Sequence, residues 1–500
     1  MKTLFLSLSS LMMLLFFACT KEDGLLSDSS SQADLQKSSH HGGKVIKVTP
    51  TGVDDTQALI DAFEAAKAAG PGSTVKLEEG TYTIGMIEVR DFDGNFRGAG
   101  KGKTIITNLP ELPCEDCWEV NIQPSLISFI GGNVEISDMT LQLKDGEPCA
   151  YGPLNDLYIG DLCCGLILAD YSSLYVPANR HIKGIIKDVD FIGGNDGGYG
   201  VWGTLNNVNM MVYLGANFYF PAEDAPLSNC EIIISGCSFE QCNVGPDAFG
   251  FDKNSTLRIE NSFITGGMQS IFIGGCMGSK IDIKRNKIIN GTWVDIFIDG
   301  AEYGYFPDLL PEAPTMITVQ GNDIQSPEGV ISLYVRDFFR TSGPETVFPY
   351  LVNINGNAFS TVEGILDPLF FEIREWATAI QLLDCKDAVI LNNMFSGSGT
   401  AGVYIDGDED SETWAENVKL MGNNYFNATY DIASVYLGPF TKDCKVVGVK
   451  TDQVVDDGID NSVIGVKAHK GGNHYGHPHG NAFRTGNQNT MPGRPLPAHK

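Results

Sequence analysis

Apolar and polar positions recur together from residue 230 to residue 449. The pattern is clearest in STLRIENSFITGGMQSIFIGG (255–275) and SKIDIKRNKIINGTWVDIFIDG (279–300). Each segment has an alternating strand, an Asn, a short apolar stub, a small-residue turn and a second alternating strand. The Asn returns at Asn261, Asn286, Asn322, Asn357, Asn393 and Asn424. A repeat of roughly 20 to 50 residues with one polar residue at constant phase predicts a solenoid. Each coil then needs only its neighbours to bury its apolar face. Asn suits such a ladder, because it tolerates left-handed backbone angles and can hydrogen-bond the turns above and below.

Ahead of the repeat, Asp54-Asp55-Thr56 offers N-capping side chains to a helix carrying Ala58, Leu59, Ala62, Phe63 and Ala66 at helical spacing. Gly70-Pro71-Gly72 stops it. Thr74 to Leu77 and Thr81 to Ile84 alternate as strands about a Glu79-Gly80 turn. An amphipathic helix across the open end of a first coil is a sensible cap. Residues 134–146 and 182–203 continue the coil pattern, while 147–181 and 206–226 read as long excursions, the second carrying Tyr213, Phe218, Tyr219 and Phe220. The fold predicted is all-β, a single-stranded parallel β-helix over residues 44–466 with an N-terminal capping helix.

One strand per coil carries the candidate chemistry: 248–252, 270–274, 295–299, 332–336, 379–383, 402–406 and 434–438. Its second and fourth positions are apolar and point inward by the period-two rule, leaving the odd positions on one outer face. The third position reads Gly250, Phe272, Phe297, Tyr334, Gln381, Tyr404, Tyr436, predicting an exposed aromatic strip suited to stacking on sugars. The fifth reads Asp252, Gly274, Asp299, Arg336, Leu383, Asp406, Gly438, and Asp295 adds a carboxylate at the first. Two chemistries fit. In β-elimination of a uronic-acid polymer, Asp side chains would hold Ca²⁺ and Arg336 would stabilise the enolate. In hydrolysis, Asp252 and Asp299, two coils and on the order of 9–10 Å apart, would approach the roughly 6.5–9.5 Å of an inverting pair. The structural alternative is a cross-strand ion pair between Asp299 and Arg336, with the rings stabilising the stack.

A formal net charge of −28 argues against nucleic acid as a partner, since phosphate neutralisation needs clustered Lys and Arg. The N-terminus, MKTLFLSLSSLMMLLFFACT, has one early Lys and an apolar run too short for a membrane span, as in a secretory signal (1–18). FFAC resembles a bacterial lipobox, which implies lipidation at Cys19. Lys21-Glu22-Asp23 resembles the short signal that sends lipoproteins of Bacteroidota to the cell surface. A Ser-rich tether (19–43) follows. The expected location is the outer membrane, reached through the lipid, with the surface favoured over the periplasmic face. Cys114, Cys117, Cys149, Cys163 and Cys164 favour disulfides over zinc in this compartment. Cys237, Cys276 and Cys385 fall inside the repeat and read as packed thiols. The tail, 467–500, lacks apolar periodicity and holds five of the eight His; it is expected to be disordered. The molecule is expected to be a monomer.

The segment DDTQALIDAFEAAKAAGPGSTVKLEEGTYTI resembles the entry of the pectate-lyase-like superfamily of right-handed parallel β-helices, where a D-D-T-x-A-[LI]-x-x-A helix precedes G-G-T-V-x-[LF]-P-x-G-x-Y. Glu79 stands where Pro is usual. The resemblance implies the architecture and not the reaction, because that superfamily holds lyases, hydrolases, epimerases, esterases, tailspikes and binders. The motif series of its polygalacturonases is absent, as is the R-x-P-x-x-R of one pectate lyase group. Asn290-Gly291 is followed by Thr-Trp-Val-Asp rather than x-Glu, and Gly476-His477-Pro478 lies in the tail. No catalytic residue is carried over. The reading is a lipid-anchored protein acting on extracellular polysaccharide, a lyase ahead of an inverting hydrolase, with a non-catalytic glycan binder or adhesin as the rival class.

Overall fold

A computed structural model describes residues 43–466 except 110–124, 144–163, 170–181, 194–209, 216–229, 241, 243, 250–254, 266–268, 277, 290–293, 301–312, 327–330, 338–349, 363–376 and 408–412. The expected leader, Cys19 and tether, the tail, and Cys114, Cys117, Cys149 and Cys163 lie outside the described residues, as does the side chain of Cys164.

The chain winds into coils of up to three strands, and each strand pairs in parallel with its counterparts one coil before and after. One sheet runs through Glu231–Ser235, Thr256–Glu260, Lys280–Lys284, Thr315–Gln320 and Tyr350–Asn355. Its register stacks like on like: Ile234, Ile259, Ile283, Val319, Ile354, Ile390, Leu420 and Val446 form one unbroken column. Their neighbours on the outer face alternate with them as the period-two rule requires, apart from Asp282 beside Ile283, which is buried, and every member of the column is buried. Burying each such side chain contributes about 1.5–3 kcal/mol. A second sheet stacks rings inside the solenoid, with Phe359 on Phe395 at 5.4 Å and Phe395 on Tyr425 at 4.5 Å.

The ladder between these two sheets is built from Ser262, Asn286, Asn322, Asn357, Asn393 and Asn423, all buried. The expected Asn261 and Asn424 are each one residue out of phase with it. The Asn357 Oδ1 accepts from the Asn322 backbone N–H and from its side-chain amide, both at 2.9 Å. Its own amide donates to the Val319 carbonyl and to the Asn393 Oδ1, also at 2.9 Å. Deleting one such amide would orphan several buried groups, at about 1–3 kcal/mol each. The left-handed backbone angle falls one residue earlier, at Asn261, Arg285, Gly321, Gly356, Asn392 and Gly422. The ladder side chain is thus selected by its hydrogen bonds, and the residue before it by its φ.

The capping helix, α1 (Thr56–Ala69), buries Leu59, Ala62, Phe63 and Ala66 as its spacing predicts. Phe63 enters an aromatic nest, with ring centroids 5.3, 5.1 and 5.6 Å from Phe92, Phe96 and Phe129. The Asp54 carboxylate accepts from the Thr56 N–H at 2.9 Å. Asp55 does not cap: it is buried and accepts from the backbone N–H groups of Thr51 and Thr83, tying the helix entry to a strand. Both supposed excursions contain strands, Cys164–Ala169 and Met210–Gly215, which pair with each other. Continuous apolar runs such as CGLILA lack the alternation by which exposed-face strands are recognised. Cys237, Cys276 and Cys385 are buried within the repeat, and burial pushes the Cys237 pKa up to about 12.

Candidate functional site

The third sheet carries the candidate residues: Val244–Phe249, Gln269–Gly274, Val294–Asp299, Ile331–Arg336, Thr378–Leu383, and the ends of Met394–Asp406 and Asn424–Leu437. Its inward columns, Ile271-Ile296-Leu333-Ile380-Val403-Val435 and Ile273-Ile298-Val335-Leu382-Ile405-Leu437, are as expected. The first strand is not. Asp247 pairs with Phe272 and Phe249 with Gly274, a slip of three residues from the alignment that put Asp252 beside Gly274. The position beside Gly274 is thus held by Phe249, and Asp252 itself lies outside the described residues. The run AFGFD, with its two Phe, satisfied the alternation in the wrong frame.

The aromatic column exists, but it is not exposed. Phe272, Phe297, Tyr334, Tyr404 and Tyr436 stack in register and are all buried, Tyr334 at 0% and Tyr436 at 8% exposure. Phe297 lies 5.4 Å from Phe272 and 5.0 Å from Tyr334, and Tyr404 lies 5.1 Å from Tyr436. Each ring loses its faces to the coils above and below. The flanking positions of Gln269–Gly274, Val294–Asp299 and Thr378–Leu383 are buried too. Pointing away from the solenoid core is therefore not the same as facing water.

The proposed catalytic residues separate into different settings. Asp299 and Arg336 form a two-point fork, Nε to Oδ1 at 3.0 Å and Nη2 to Oδ2 at 2.7 Å, and both are largely buried. Burial works to lower the Arg336 pKa, but the Asp299 carboxylate, with lesser help from Tyr334 and Asp384, overcomes it and holds the guanidinium protonated. Asp295 is fully buried at a corner, where it accepts a short hydrogen bond from the Ser326 hydroxyl, itself 2.5 Å from Ser332 Oγ.

Asp406 differs. Its Oδ1 accepts from the backbone N–H groups of Gly407 at 2.9 Å and Phe440 at 3.0 Å, and its Oδ2 from the Tyr404 hydroxyl at 3.1 Å. Burial pushes its pKa up to about 6 despite these bonds, and the nearby charge of Asp457 adds to the rise. The carboxyl sits directly against Gly438, where a Cβ would come within 2.1 Å of Oδ2. Asp457 is exposed and accepts from the Tyr436 hydroxyl at 3.2 Å. Beside this group, the half-buried rings of Trp414 and Phe440 lie 5.4 Å apart.

Sequence reasoning included Asp406, Tyr404 and Tyr436 but missed Asp457, Trp414, Phe440 and the requirement for Gly438. Trp414, Phe440 and Asp457 lie outside the repeating strand, so no column could point to them. Among the described residues, no three His, Cys, Asp or Glu side chains gather into a set that would hold a metal ion such as Ca²⁺.

No protein-family profile matches the chain, and no curated protein matches it by sequence. Solved structures do match. The Dettilon tailspike protein (gp208) superposes at a TM-score of 0.52 with 11% identity, over 88% of this chain and 71% of that one. The DFA-IIIase from Arthrobacter chlorophenolicus A6, solved in complex with DFA-III, also reaches 0.52 with 11% identity, over 82% and 96%. This chain is a right-handed parallel β-helix. The β-helix also aligns with the A-module of the Azotobacter vinelandii mannuronan C-5 epimerase AlgE6, at 0.43 and 13% identity over 84% and 97%. At these identities the likeness is one of fold.

Proposed function

We propose that this β-helix is a polysaccharide-cleaving enzyme of the pectate-lyase-like type that hydrolyses a glycosidic bond at Asp406. The observation that carries the reading is a buried carboxyl with its pKa raised to about 6, beside an exposed carboxylate, Asp457. A carboxyl that stays protonated well above the ordinary carboxylate range, up to about pH 6, is what acid catalysis of glycoside cleavage needs. Asp406 would give its proton to the glycosidic oxygen as the bond to the anomeric carbon breaks. Asp457 would take a proton from the water whose oxygen adds to that carbon. Trp414 and Phe440, at the rim of this group, would offer apolar ring faces to the sugar.

Hydrolysis is favoured over β-elimination by the state of Arg336. Elimination needs a cation for the uronate carboxylate and a base for the α-proton. Arg336 is already engaged by Asp299 in a fork and is held protonated, so it suits neither role. The β-helix neighbour DFA-IIIase, solved in complex with DFA-III, supports the reading as an instance of this scaffold in an enzyme with a bound ligand.

The test is a panel of plant, algal and microbial polysaccharides incubated with the full chain. New reducing ends without the ultraviolet absorbance of unsaturated uronic acid are expected. The rate should fall as pH rises through about 6, because the acid works only while protonated. Unsaturated products would sink hydrolysis in favour of elimination, and retained binding without cleavage would leave a glycan binder. We further propose export and anchoring in the outer membrane through lipid on Cys19, facing outward. Cys19→Ser should move the protein out of the membrane fraction, and a variant that stays there would refute the anchor.

A further inference from the structure

We propose that Tyr404 and Tyr436 are positioning residues of this site: their stacked rings set the spacing of the Asp406 and Asp457 carboxyls, and their hydroxyls hold one oxygen of each. The inference rests on the hydrolytic reading above and assigns the residues that aim its acid and its base. It gives the buried aromatic column a use that requires no contact with sugar.

The Asp406 carboxyl is divided by its partners. Its Oδ1 accepts from two backbone N–H groups, of Gly407 at 2.9 Å and of Phe440 at 3.0 Å. An N–H group only donates, so Oδ1 is the carbonyl oxygen of the neutral acid, and the transferable proton is carried on Oδ2. Oδ2 is the oxygen that meets the Tyr404 hydroxyl at 3.1 Å, and it lies 2.1 Å from where a Cβ on Gly438 would stand. When the proton passes to the glycosidic oxygen, the electron pair of the O–H bond stays on Oδ2. The Tyr404 hydroxyl donates to that new charge. Among the described residues, the other titratable groups around Asp406 are Tyr436 and Asp457, in the coils that follow, and Asp384, which accepts from Thr413. Its register partner in the coil before, Leu383, is apolar.

The base is held in the same way. Tyr404 and Tyr436 pair in register, with rings 5.1 Å apart and 12° from parallel. The Tyr436 hydroxyl donates to Asp457 Oδ2 at 3.2 Å. Acid and base are thus each tied to one member of a stack whose step is the coil spacing, about 4.8 Å. Both rings are buried, at 5% and 8% exposure, so neither offers a face for sugar stacking. Burial above all raises both phenol pKa values well beyond their ordinary value. Each hydroxyl therefore keeps its proton at the working pH and acts as a donor rather than a base.

Tyr404→Phe in the full chain removes the hydroxyl and keeps the ring. Phe272 and Phe297 already hold this column position in earlier coils, so the variant should fold and melt close to the native protein. Burial raises the Asp406 pKa, while the Phe440 and Gly407 N–H groups and the Tyr404 hydroxyl pull it back by favouring the charged form. Without that hydroxyl the carboxyl holds its proton to higher pH. The alkaline limb of activity should therefore move up from about pH 6 by about one unit, and kcat should fall about tenfold or more with KM nearly unchanged. Tyr436→Phe should lower kcat and leave that limb in place, because its hydroxyl serves Asp457. A purely structural role would move the melting temperature and not the limb. Carbon-13 NMR of the aspartate-labelled chain, with the Asp406 signal assigned by its loss in Asp406→Asn, reads the same titration without substrate. If neither the titration nor the limb moves in folded Tyr404→Phe, the inference is overturned even where the native protein hydrolyses a glycan. If the titration moves but no polysaccharide is hydrolysed, the hydrolytic reading falls, and the positioning role with it.

Discussion

Asp406→Asn is expected to abolish glycan cleavage and, above pH 6, to make the folded protein more stable. The two effects share one cause. In the native protein the carboxyl is kept from water, so its charged form is disfavoured and its pKa rises from 3.8 to about 6. An amide cannot give up a proton, and losing a general acid typically costs on the order of 10²–10⁴ in rate. Its oxygen can still accept from the Gly407 and Phe440 N–H groups, and the Tyr404 hydroxyl can turn to accept from the new amide, so the fold should hold. The sign of the stability effect follows from the direction of the shift. A carboxyl whose folded pKa lies above its unfolded value contributes fully below the unfolded value and loses that contribution as pH rises through about 6. At about 1.4 kcal/mol per pKa unit, the native protein forfeits on the order of 3 kcal/mol by about pH 8. The variant does not ionise and forfeits nothing. Denaturation at about pH 4 and about pH 8 checks this: the stability advantage of Asp406→Asn should appear only at the higher pH. Full activity in the variant would remove Asp406 from the mechanism.

Arg336→Ala is expected to destabilise the solenoid by about 3–5 kcal/mol, because it strands the Asp299 carboxylate in a buried site without its partner. Replacing both members with apolar residues, Asp299→Leu with Arg336→Met, should recover most of that loss. The fold already shows that this column accepts an apolar side chain, since Leu383 occupies the position after Arg336 and is buried. Denaturant midpoints of the two single variants and the double variant provide the measurement. If the double variant is as unstable as Arg336→Ala, the fork is not the source of the loss. If Asp406 carries the chemistry, the folded double variant should keep cleavage within a few-fold, so this experiment also separates the two halves of the sheet.

How far the sequence could be read depended on how strictly each element repeats. Where strand, Asn and stub recur at fixed phase, from 255 to 300, the elements and their inward residues were legible, and so was the ladder at Asn286. The alternation supplied the frame, and each coil confirmed it for the next. At Val244–Phe249 the frame failed by three residues, because AFGFD alternates equally well in a false register. The ladder slipped by one residue at Asn261 and Asn424, where an adjacent Asn or a Ser, rather than the expected Asn, faces inward. In both cases a local pattern had two solutions, and only pairing with the next coil chose between them.

The sequence by itself determined that this protein is a capped parallel β-helix and which sheet holds its candidate chemistry. A two-residue period distinguishes inside from outside, and a repeated polar residue reports stacking. Tertiary structure alone decided what the outer face of that sheet is. Whether an outward ring is wet, whether an Arg is already paired, and whether a carboxyl is desolvated depend on groups that are far apart in the chain. Tyr334 and Tyr436 became a buried stack, Arg336 half of an ion pair, and Asp406 a raised-pKa acid held by Gly407 and Phe440. Solvation and pairing are properties of a place, and the place exists only after the coils have closed on one another.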